Sequence, residues 1–188
     1  MYDREMKLIR EHLIKTGSQG IVDVFSTVIA TIRTPFKNIV PLSEDIRDKG
    51  LQSKALWGHK KDSYQGVVEA KDELYTMLVI NKADEKVALE RVLQIKGLGL
   101  AKASFGLQML GYNLACLDTH NLKKLGYSSS YFNRKDKVEE YIKVVQRKGT
   151  EYWWNSWCNL IPDTSANKST FRNGDEVSYE HTKAIRGY

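Results

Sequence analysis

Two cysteines, Cys116 and Cys158, in a chain of 188 residues are too few for a disulfide scaffold and fit a reducing compartment. No run of about eighteen apolar residues occurs, and the N-terminal stretch MYDREMKLIREHL is charged. Neither a membrane span nor a signal peptide is therefore expected, and the reading places the chain in a cytosol. Internal repeats, low-complexity segments and strong strand patterns are also missing, which leaves an all-α fold as the expected class. What remains is 41% hydrophobic and 28% charged, the composition of a folded protein. A chain of this length fits one domain, 1–188, or one domain in two lobes sharing a core. The net charge of +6 favours a polyanionic partner without identifying it.

The apolar spacing predicts a series of helices. Residues 3–16 place Met6, Leu8, Ile9, Leu13 and Ile14 broadly on one face, closed by Gly17 or Gly20. A more apolar helix is expected over 21–32, stopping before Pro35. From Pro41 to Gly66 the text is polar, and Ser43 reads as the cap of a short helix to Lys49. Lys54, His59, Lys60 and Lys61 interleave there with Trp57 and Tyr64, a pattern that tracks a nucleic-acid backbone or makes a solvated loop with one anchoring tryptophan. A helix over 67–80 is expected to turn Val68, Leu74, Leu78 and Val79 inward, with Asn81 or Asp84 capping its successor. Beyond 125, a loop carries Tyr127, Tyr131 and Phe132, and an amphipathic helix spans 135–148. Trp153, Trp154 and Trp157 follow at helical spacing and read mainly as core. Asn173 and Gly174 make a turn before a closing helix, so the C-terminal helices of 135–188 complete the second lobe. His181 has no Cys, His or carboxylate at a metal spacing and reads as a cap or surface histidine. No metal and no cofactor are expected.

The most informative stretch is 84–125. Val87, Leu89, Val92 and Leu93 recur at helical spacing up to Gly97, and a second helix is expected from Leu100 to Leu110, with Gly111 as its stop. Glycines at 97 and 99 suit positive φ or an approach by foreign backbone. The second helix would present free N–H groups to an anion, flanked by Lys96 and Lys102.

IKGLGLAKAS followed by Leu117-Asp118-Thr119-His120 resembles the helix-hairpin-helix DNA glycosylase superfamily, the group of endonuclease III. The hairpin and the Asp-Thr-His signature stand at the family's distance within about one residue, and the likeness is strongest over 72–125. It implies a helical bundle in two lobes, a chain acting as a monomer on DNA, and a bacterial or phage-infected cell. Lys96, Gly97, Leu98, Gly99, Lys102 and His120 would hold the DNA. Asp118 would be the catalytic carboxylate, stabilising the sugar cation as an N-glycosidic bond breaks. The same aspartate also reads as an ordinary helix N-cap. Trp57, Tyr64 and Tyr112, with Tyr131 and the Trp153 cluster, are candidates for a base pocket.

The chain departs from the family in three ways. Two cysteines cannot hold its four-cysteine iron–sulfur cluster. Lys96 replaces the hairpin proline. Ala101 or Leu100 stands where strand-cutting members carry a lysine nucleophile, and Lys102 is one residue away, about 100° round a helix. The resemblance therefore implies a monofunctional hydrolase. The alternatives are a non-enzymatic DNA-binding protein, and a phage enzyme that modifies thymines on the same scaffold.

Overall fold

A computed structural model describes residues 2–164, 166–167 and 170–187. Within them the chain is helical and contains no strand, in agreement with the all-α expectation. Ser165, Lys168, Ser169 and Tyr188 of the polar tail lie outside the described residues. The helices are α1 (Tyr2–Thr16), α2 (Ser18–Ala30), α3 (Ile39–Lys49), α4 (His59–Tyr75), α5 (Glu85–Val92), α6 (Leu100–Met109), α7 (Thr119–Lys124), α8 (Val138–Gln146), α9 (Thr150–Leu160) and α10 (Gly174–Arg186). None is long and apolar enough to cross a membrane among the described residues.

The fold is built round α2. Its residues from Gly20 to Ala30 are all buried, and it touches α1, α3, α4, α6 and α10. Ile21, Val22, Val24, Phe25, Val28 and Ile29 each contribute about 1.5–3 kcal/mol by leaving water, which makes this helix the main apolar anchor. Asp23 is the one acid on it, and its Oδ2 meets His12 Nε2 of α1 at 2.7 Å. α6 crosses α2 closely at Gly106, where a Cβ would stand 2.4 Å from the Phe25 ring. A glycine is required there for want of space.

Several expected boundaries move for physical reasons. The helix expected at 67 starts at His59, so His59, Lys60 and Lys61 belong to α4 and not to a loop, and a five-residue π segment, Thr76–Ile80, continues it. Val68 and Val87, expected inside, are exposed, while Val67 and Ala88 take the inward positions. On α1 the buried face holds Glu5 and His12, and Ile14 points outward. Ser43 is buried within α3 and caps nothing. Asp84 does cap α5, accepting from the amides of Lys86 and Val87 at 3.0 and 3.1 Å.

The tryptophans of α9 are core residues, with the Trp153 and Trp154 indole N–H groups donating to Val145 O and Ser178 Oγ. His181 of α10 is neither a cap nor on the surface. It is fully buried among Phe36, Phe105, Trp154 and Trp157, with ring centroids 5.1–6.0 Å away. Burial first, and the charge of Lys102 second, lower its pKa to about 3, so the ring sits in the core uncharged.

Candidate functional site

The hairpin joins α5 to α6 through residues 93–99. Gly97 has φ +86°, and a Cβ there would meet Ser63 Oγ at 2.3 Å and the His59 carbonyl at 3.1 Å. Both the turn and the close approach of α4 thus demand glycine at this position. Ser63 Oγ fastens the contact, donating to the Lys96 carbonyl at 2.8 Å. Gly99 differs, because its backbone is extended and a Cβ would meet nothing within 4 Å. It caps α6 without any side-chain hydrogen bond, leaving the first amides of that helix open to an anion. The Leu98 side chain is buried, so at this position only the backbone can face a partner. Lys96 is 80% exposed and pairs with Asp62 at 2.7 Å, a surface contact that a phosphate can replace.

Asp118 ends the segment that follows α6. Two buried groups brace that segment. The Tyr141 hydroxyl donates to Ala115 O at 2.7 Å and accepts from Leu117 N at 2.8 Å. Asn121 Nδ2 donates to Cys116 O at 2.9 Å. The aspartate caps α7 with one oxygen, Oδ1, which accepts from Asn121 N at 2.9 Å. Its Oδ2 makes no hydrogen bond among the described residues, so capping and a second role do not compete for one atom.

Asp118 lines a pocket of about 180 Å³ together with Lys102 and His120. Phe36, Phe105 and Trp157 supply its aromatic wall, Trp157 standing edge-on to the two phenylalanines at 5.4 and 5.1 Å. Trp157 is therefore both core and pocket lining. Cys116 also lines the pocket, and burial pushes its thiol up to about 12, which keeps it protonated and poorly nucleophilic. Asn167 closes one side, its Oδ1 accepting from Lys37 N at 2.9 Å and its Nδ2 donating to Thr164 Oγ1 at 2.7 Å. Among the described residues no three of His, Cys, Asp and Glu converge as metal ligands.

The structure corrects the expected direction of Lys102. Its ammonium turns into the pocket that Asp118 lines and donates to Thr31 Oγ1 at 2.9 Å, whereas the helical offset aims it away from the place of a lysine nucleophile. A four-carbon stem reaches round the helix, so the 100° offset does not keep the ammonium out of the pocket. Nor do Trp57, Tyr64 and Tyr112 line this pocket. Trp57 is half-exposed and stacks near Lys60, 5.0 Å from its ammonium. Tyr64 is buried. Tyr112 donates to Leu78 O at 3.0 Å beside Lys82, and burial lifts its pKa to about 12. The residues that sequence reasoning missed, Thr31, Phe36 and Phe105, come from the loop after α2 and from α6. Their apolar or small side chains carry no chemical signal in one dimension. No family model, curated protein or solved structure matches the chain.

Proposed function

We propose that this chain acts on DNA as a glycosylase-like enzyme, hydrolysing the N-glycosidic bond of a damaged or modified base turned out of the duplex. The observation that carries the reading is Asp118, held by Tyr141 and Asn121 with one carboxylate oxygen left over, in a pocket walled by Phe36, Phe105 and Trp157. A flipped base gains by stacking on such rings. As its bond to the sugar lengthens, positive charge grows at C1′. A carboxylate beside it stabilises that charge and orients a water for attack. The open amides at the start of α6 and Lys96 hold a backbone phosphate nearby, and His120, exposed at the pocket, adds a further donor to the strand.

Lys102 favours a second reading, in which its amine attacks C1′, the base leaves with its bonding electrons and one amine proton, the C1′–O4′ bond opens as O4′ takes the second, and the imine so formed allows strand scission by elimination. Duplexes carrying uracil, alkylated, oxidised or hypermodified bases distinguish the readings, with hot alkali used to break abasic sites. Alkali-dependent breaks lost in Asp118→Asn support hydrolysis. Breaks without alkali, with a borohydride-trapped adduct absent from Lys102→Gln, support the lysine route. Binding without base release on any duplex leaves a DNA-binding protein that lacks the chemistry.

A further inference from the structure

Lys60, in the first turn of α4, is 1% exposed, yet neither it nor Lys102 makes an ion pair among the described residues. Its ammonium donates to Thr34 Oγ1 at 3.2 Å, as that of Lys102 donates to Thr31. Both threonines give their own protons to backbone carbonyls, Thr31 to Val28 at 2.6 Å and Thr34 to Ile32 at 3.1 Å. Each hydroxyl therefore offers its lysine a lone pair, which steers the ammonium without neutralising it. The turn between them holds Arg33 at φ +52°, a left-handed conformation unfavourable for a non-glycine residue. Burial first, and the charge of Lys102 second, lower the Lys60 pKa, so the two cations repel.

A buried cation without a counter-ion is unfavourable. Asp118 is the only acid among the residues lining this pocket, and one of its oxygens is committed to α7. We infer that Lys102, steered by Thr31 at the pocket wall and backed by the Lys60 ammonium on Thr34, is a subsite for a phosphoryl oxyanion carried by the pocket's ligand. Two ammoniums match the double charge of a phosphate monoester or pyrophosphate, and Lys102 keeps two N–H donors after Thr31 has taken one. This inference does not depend on base excision. The phosphoryl group can belong to a strand or to a freely diffusing molecule.

Thermal melting at low ionic strength tests it, with inorganic pyrophosphate in one arm and an abasic-site duplex in the other. At ten times its dissociation constant, pyrophosphate should raise the wild-type Tm by about 4 °C. Lys60→Met and Lys102→Met should lose that rise, and Lys96→Met, at the hairpin, should keep it. Without ligand, Lys60→Met should melt no lower than wild type, since methionine fills the stem's space and removes the unpaired charge. A rise dependent on both lysines only with the duplex would assign the subsite to a strand phosphate. No lysine-dependent rise in either arm, or one lost only in Lys96→Met, overturns the inference. Asp118-dependent base release with no such rise would leave excision standing and remove the subsite alone.

Discussion

Replacing Tyr141 by phenylalanine removes a single oxygen from the fully buried core and tests how Asp118 is held. That oxygen satisfies the Ala115 carbonyl at 2.7 Å and the Leu117 amide at 2.8 Å. Neither group has another hydrogen-bond partner among the described residues, and water cannot reach them without opening the contact between α8 and the 115–117 segment. Leaving a buried backbone group unpaired costs about 1–3 kcal/mol, so the two together predict a loss of about 2–6 kcal/mol. For a chain of this size that is a fall in Tm of about 6–18 °C, read by circular dichroism alongside urea titration. Because Leu117 adjoins Asp118, base release should fall further than DNA binding. A Tyr141→Phe protein within about 0.5 kcal/mol of wild type would refute the bracing argument.

Asp118→Asn should keep the α7 cap, since asparagine caps helices as well as aspartate does, and should abolish base release while DNA affinity changes less than twofold by fluorescence anisotropy. Gly97→Ala should destabilise the chain by about 1–3 kcal/mol in urea, because the φ of +86° and the Ser63 and His59 contacts oppose a Cβ together. His181 links stability to pH. Its folded pKa of about 3 lies below the unfolded value near 6.5, so the unfolded chain takes up the proton first. Stability should therefore fall as pH drops from about 6.5 toward 3, by about 1.4 kcal/mol per pH unit, and His181→Leu should lack that component in paired melts. Lys96→Gln should lower the slope of log affinity for DNA against log salt by about one.

The helix order was largely legible because helices are specified by local spacing and by their ends. Asp84, Gly111 and Asn173 mark termini whether or not the rest of the chain is known. Faces were harder. Ile14 and Val87 look inward by spacing and sit in water, while Glu5, His12 and His181 look polar and are buried. Burial depends on which helix packs opposite, and the His12–Asp23 pair joins residues on two helices whose contact no local pattern encodes.

Sequence by itself determined the helical class, the hairpin at 93–99 and the prominence of Asp118, since glycine conformation and capping act over a few residues. Tertiary structure alone decided what surrounds that aspartate. Thr31, Phe36, Lys60, Lys102, Phe105 and Trp157 come from four separate stretches of chain, and only the packing of α4 and α6 against α2, with α9 joined to it through α10, brings their side chains near one another. It also turned Lys102 inward, because the direction of a long flexible side chain is set by the partner it finds, here Thr31, and not by its position on the helix.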